Sequence, residues 1–185
     1  MVRKLTYTEN DIASKKAFLF DVLRRYDHYI GTTNFKIGLM MSFLAAIVLG
    51  LTLRIIILPP PKDDVFCFYS LSILFSISTI LLSLVSAGML LRAVYPESKN
   101  TENSSSLIYF GDVAQTKGGK TAYFEGITNA TDHDLLSDLA FQTHAVAEVV
   151  NEKFKKLKLS VNVITYGVVP LLGISILLLV IEAVR

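Results

Sequence analysis

The sequence predicts an all-α integral membrane protein with three transmembrane helices and cytosolic amphipathic helices, the last soluble helix being continuous with the third span. Three observations predict it. Residues 37–58, 65–91 and 159–181 are apolar runs, and at about 1.5 Å per residue even the shortest makes a helix of roughly 33 Å, enough for a hydrocarbon core of about 30 Å. Hydrophobic residues make up 52% of the 185-residue chain. The basic residues are unevenly spread: seven Lys or Arg fall in residues 1–36 and eight in 92–158, whereas residues 59–64 hold only Lys62 beside Asp63 and Asp64. By the positive-inside rule both long polar segments are cytosolic, the short connection is external, and the C-terminus at Arg185 is external.

Residues 1–35 read as a cytosolic amphipathic N-terminal helix. Thr8 with Asp11 resembles a capping box, and Ile12, Leu19, Val22, Leu23, Tyr26 and Ile30 recur at roughly helical spacing through Gly31. That stripe lies on the membrane surface among Lys15, Lys16, Arg24 and Arg25 or packs on the other soluble helix, the second being preferred. Residues 36–58 are the first span. Its one charge, Arg54, costs about +2.5 to +3.5 kcal/mol at mid-membrane, less than thirteen Leu, Ile, Val and Phe residues supply at about −0.3 to −0.6 kcal/mol each. One turn from Pro59, the guanidinium can also rise to the interface. The run begins too late and is too long for a cleavable signal peptide, so it is a permanent anchor.

Residues 59–64, opening with Pro59-Pro60-Pro61, form an external hairpin, and 65–92 form the second span. The lone Cys67 at its start allows no intrachain disulfide and reads as a small buried apolar residue. Pro96 stops this helix, residues 97–106 read as a loop, 107–114 as a short ambiguous element and 115–121 as another loop. From Thr131, with Asp134 three residues on, helical periodicity resumes through Leu135, Leu136, Leu139, Val146, Val150, Phe154 and Leu157, and no Pro or Gly intervenes before Gly167. Residues 93–158 are thus a cytosolic helical region that runs straight into the third span, 159–182. There Pro170 and Gly173 either supply a kink or only accommodate neighbouring helices. The sequons Asn103-Ser104-Ser105 and Asn129-Ala130-Thr131 fall on the cytosolic side and read as chance matches.

Two stripes in the spans invite a role. Gly38, Ser42, Ala46 and Gly50 recur every four residues, the small-xxx-small pattern that lets helix backbones approach closely in lipid. Ser72, Ser76, Thr79, Ser83 and Ser86 recur at intervals of four, three, four and three, placing five hydroxyls on one helix face. Each hydroxyl can bond a carbonyl one turn back in its own helix. The stripe therefore faces another helix of this chain, a second copy, or water.

Chemistry for catalysis is sparse. Ala114-Gln-Thr-Lys-Gly-Gly119-Lys120-Thr121 fits a relaxed phosphate-loop pattern, but that loop needs a preceding strand and a following helix, and Tyr123 to Gly126 is a poor helix interior. The roughly 60 residues between the second and third spans are too few for the sheet of a nucleotide hydrolase. His28, His133 and His144 lack ligand-like spacing, so no metal site is expected, and the chain reads as a non-enzyme with no cofactor. Lys153, Lys155, Lys156 and Lys158 cluster before the third span, where they anchor to anionic headgroups and fix topology, or form a rim that receives an anionic ligand.

The order of these elements resembles a known family. Asn34-Phe-Lys36 opens the first span and Leu91-Arg92 to Pro96 closes the second. Tyr109-Phe110-Gly111-Asp112-Val113-Ala114 follows, then Asp138-Leu139 to Gln142, His144, Val146, Ala147 and Lys153, leading to the last span. From about residue 10 onward this resembles the transmembrane effectors of Pycsar, the bacterial pyrimidine cyclase antiphage systems, with Asn34 where an Asp is expected and Tyr109 where Phe is more usual. The resemblance implies an effector in the bacterial inner membrane, functionally linked to a nucleotide cyclase. Such an effector meets a cyclic nucleotide, most simply a cyclic pyrimidine monophosphate, then self-associates and impairs the membrane, causing abortive infection. It implies Lys36, Arg92, Gln142 and Lys153 as ligand-binding candidates, partners in lipid and in further copies of the chain, and no nucleic acid polymer. The alternative is an accessory or structural membrane protein that docks a partner through its cytosolic helices.

Overall fold

The computed structural model describes residues 9–57, 66–95 and 106–184, all of whose regular elements are helical. The expected Thr8 cap, the hairpin of residues 59–64, the Pro96 stop and most of the following loop lie outside these residues. In chain order the helices are α1 (Glu9–Ile57), α2 (Phe66–Val94), α3 (Phe110–Ala114), α4 (Gly119–Asn129), α5 (Asp132–Val163), a π-helical turn (Ile164–Val168) and α6 (Val169–Val184). Three helical stretches are long and apolar enough to cross a membrane: Asn10–Ile57, Phe68–Val94 and Asp132–Glu182. The chain divides into two compact units, residues 1–31 with 97–151 and residues 32–96 with 152–185.

In the first unit the α1 positions Ile12, Leu19, Val22, Leu23, Tyr26 and Ile30 are all half-buried, while Phe18 and Phe20 are exposed. An ion pair of 2.6 Å between Lys16 and Asp132 ties α1 to the start of α5. Thr131 and Asp134 form the expected reciprocal cap: the Thr131 N–H and hydroxyl donate to Asp134 Oδ2 at 3.0 and 2.6 Å, and the Asp134 N–H donates to the Thr131 hydroxyl at 3.2 Å. The Thr131 hydroxyl holds the Asp134 carboxyl below the usual carboxylate pKa.

Helix α1 runs past Gly31 into the first span, one exposed glycine costing a helix only about 1 kcal/mol. One expectation is corrected here. The segment read as a loop followed by a poor helix interior becomes α4. Gly118 stands at its N-cap with φ 95° and Gly119 follows with φ 67°, a backbone that L side chains avoid. The Tyr123 hydroxyl donates to the Leu107 carbonyl at 3.0 Å, and Leu107 lies so close to Gly126 that a Cβ there would sit 3.2 Å from it. Tertiary contacts at Leu107 thus outweigh weak helix propensity. Leu107 is itself held, its N–H donating to Asp138 Oδ2 at 2.9 Å.

The second unit holds the apolar core. Ile37, Leu44, Ile47 and Leu51 of α1 meet Leu90 and Ala93 of α2 and Leu157, Ile164, Val168 and Leu179 of the last helical stretch. That stretch is unbroken from Asp132 to Val184, with its only irregularity in the π-turn. Pro170 explains the turn, since its ring lacks an N–H and would press on the carbonyl of Tyr166 in a regular helix, and widening one turn relieves both faults. Gly167, inside it, admits Leu82 of α2, whose Cδ2 would be 2.8 Å from any Cβ at that position.

Candidate functional site

The five α2 hydroxyls form a sealed seam. Ser72, Ser76, Thr79, Ser83 and Ser86 are each 0% exposed, as is Ser175 on α6. The four-three spacing aligns them on one face, and their small size lets α6 approach. Thr79 Oγ1 and Ser175 Oγ lie 3.0 Å apart, a hydroxyl pair bridging the two helices, and each also reaches its own backbone carbonyl one turn back at 2.8 Å. Ser72 Oγ stands 2.9 Å from both the Tyr69 carbonyl and Glu182 Oε2, so one proton serves two acceptors. Ser86 donates to the Leu82 carbonyl at 2.8 Å. Ser76 Oγ and Ser83 Oγ are buried with no partner among the described residues, and each such group costs about 1–3 kcal/mol.

On α1 the small residues do the opposite. Gly38, Ser42, Ala46 and Gly50 are all exposed, and a Cβ placed at Gly38 or Gly50 meets nothing within 4 Å. This face borders a groove of about 620 Å³ between α1 and α6, lined by Ala46, Gly50 and Arg54 on one side and Leu172, Ile176 and Leu179 on the other. A second groove, of about 490 Å³, opens between Met41, Leu44 and Val48 of α1 and Ser83, Leu84 and Ala87 of α2.

Of the ligand-binding candidates, Lys36 and Arg92 are exposed, and Gln142 is half-buried in the first unit. Lys153 differs from these. It is 4% exposed, and its Nζ donates to Asn34 Oδ1 at 2.6 Å, joining α5 to the start of the membrane-crossing part of α1. Lys153 precedes the third apolar run, and burial lowers its pKa from the usual lysine value. The inward stripe of this helix reads Val150, Lys153, Leu157, Ser160, Ile164 and Val168, all buried, whereas Phe154, expected on that stripe, is exposed. Sequence reasoning missed Asn34 as a partner, and Ser175 and Glu182 as the far side of the seam. The three-four spacing from Val150 to Leu157 was the available signal for Lys153.

Other chemistry finds no support. Among the described residues no cluster of three His, Cys, Asp or Glu could hold a metal ion. The glycine-rich segment follows the short helix α3 rather than a strand, so it is not built as a phosphate loop.

A family model described as the Pycsar effector protein domain, PycTM, matches residues 18–181. No curated protein and no solved structure matches the chain.

Proposed function

The chain belongs to the Pycsar effector protein family, and from that premise we propose how this antiphage-defence effector works. It sits in the bacterial inner membrane with its N-terminus cytosolic and its C-terminus external. It responds to a cyclic nucleotide, a cyclic pyrimidine monophosphate made by a partner cyclase, by self-associating and impairing membrane integrity, and the infected cell stops with its phage. No catalytic step is involved.

The observation that carries this reading is the open face of α1. Small residues at four-residue intervals allow close helix approach in lipid, and none of the described residues covers Gly38 or Gly50, while the hydroxyls of α2 are buried within the chain. The surface left for a second copy is therefore α1. Lys36, Arg92, Gln142 and Lys153 are the ligand-binding candidates, since a cyclic monophosphate carries one negative charge that a single Arg or Lys with a few hydrogen bonds can match.

The test is dye release from liposomes holding the full chain, with cyclic pyrimidine and purine monophosphates added separately. One pyrimidine nucleotide should trigger release and cross-linking through α1. Intact liposomes under every nucleotide would overturn this reading and leave the accessory role of docking a partner.

A further inference from the structure

Lysines are almost never fully buried unless paired with an opposite charge. Among the described residues Lys153 has no such pair. Its ammonium has three donors, and the neutral Asn34 carbonyl oxygen takes one of them at 2.6 Å. The ion pairs among the described residues are Lys15 with Asp11, Lys16 with Asp132 and Arg24 with Asp21, none of which involves it. Around it on the inward stripe stand Val150 and Leu157, with Thr33 and Ile37 buried on α1 beside Asn34. The cap is removable, because Asn34 is exposed and its amide can swing away without disturbing the core.

We propose that Lys153 and Asn34 form a binding site for a singly charged phosphodiester. The phosphate oxygens take the free ammonium donors, and the Asn34 amide turns to donate its own N–H₂ to the same phosphate. Asn34 precedes the first apolar run and Lys153 the third, so the site lies at the level of lipid headgroups. Two sources share this chemistry, the headgroup phosphate of an anionic phospholipid and the phosphate of a soluble cyclic nucleotide. The proposal rests on the reading of the chain as nucleotide-gated and deepens it by locating the anion. It also makes the bond between α1 and α5 the contact that an anion replaces.

The experiment uses the full chain in neutral detergent, measuring the melting shift caused by phosphatidylglycerol in one arm and by a 3′,5′-cyclic pyrimidine monophosphate in the other. Lys153→Met removes the cation. Asn34→Asp supplies a permanent internal carboxylate beside it and keeps the fold testable should Lys153→Met unfold. Lys117→Ala removes the same charge from an exposed position outside the site and away from the lysine cluster. In at least one arm, apparent affinity should fall roughly tenfold or more in both site variants and change less than about twofold in Lys117→Ala, the scale expected for a hydrogen bond to a charged group. The arm that responds identifies the source. Equal losses in all three variants would mean general electrostatic attraction, and no loss in Asn34→Asp would mean a purely structural lysine; either overturns the site. Nucleotide-triggered leakage that persists in Lys153→Met sinks this site but leaves the proposed function. A Lys153-dependent phosphatidylglycerol shift without any nucleotide-triggered leakage does the reverse.

Discussion

Helices α1 and α2 both carry small residues at one-turn intervals, yet the two sets meet opposite surroundings. On α2 the five hydroxyls are wholly buried, with Thr79 bonded across to Ser175 of the last helical stretch. On α1 the four small residues are exposed, with open space over Gly38 and Gly50. Spacing alone therefore does not distinguish an internal contact from an external one. What separates them is the other side of each helix: α1 turns Ile37, Leu44, Ile47 and Leu51 inward, and this larger apolar stripe claims the core.

The sharpest way to break the contrast is to fill the α2 seam. Ser76→Leu with Ser83→Leu adds two large side chains at positions with no exposure, and overpacking costs about 1–3 kcal/mol for each, so the double variant should lose its compact form in size-exclusion chromatography and melt far below wild type. Alanine at the same two positions removes unpartnered hydroxyls and should leave melting unchanged or raise it; a clear drop would show that the two hydroxyls do have partners. Thr79→Val with Ser175→Ala deletes the interhelical hydrogen bond and should cost about 0.6–1.7 kcal/mol, read from detergent or denaturant melting. Glu182→Gln should cost less than about 0.5 kcal/mol, because Ser72 keeps the Tyr69 carbonyl as an acceptor. The smallest effect on stability belongs to α1. Gly38→Leu with Gly50→Leu should leave melting of the single chain unchanged or slightly raised, since glycine is a poor helix former, while abolishing the proposed cross-linking and dye release.

Much of the fold was legible because its signals are long or local. Three apolar runs of more than twenty residues leave little choice in lipid, and Thr131 with Asp134 sets a helix start from three residues. Illegible were features made by distant partners. Helix α4 needs the Leu107 carbonyl and side chain, brought close by Asp138 far along the chain. Pro170 and Gly173 could be read as a kink or as accommodation of neighbouring helices, and the irregularity lies one turn before Pro170, because the proline acts on the carbonyl four residues before it. Among candidate site residues, Lys153 was flagged for its charge, but its burial in place of Phe154 depends on how α5 is rotated against α1. Lys36 and Arg92 are exposed side chains.

The wide turn at Ile164–Val168 acts as a one-residue insertion in a helix that otherwise advances about 100° per residue. It sets the phase between the half that carries Lys153 and the half that carries Ser175 and Glu182. Excising a single residue there, with proline replaced by alanine to restore a regular ladder, would swing the downstream half by more than a quarter revolution. Ser175 would then look into lipid while Lys153 stayed in place, so the register of two distant chemistries hangs on one surplus amino acid.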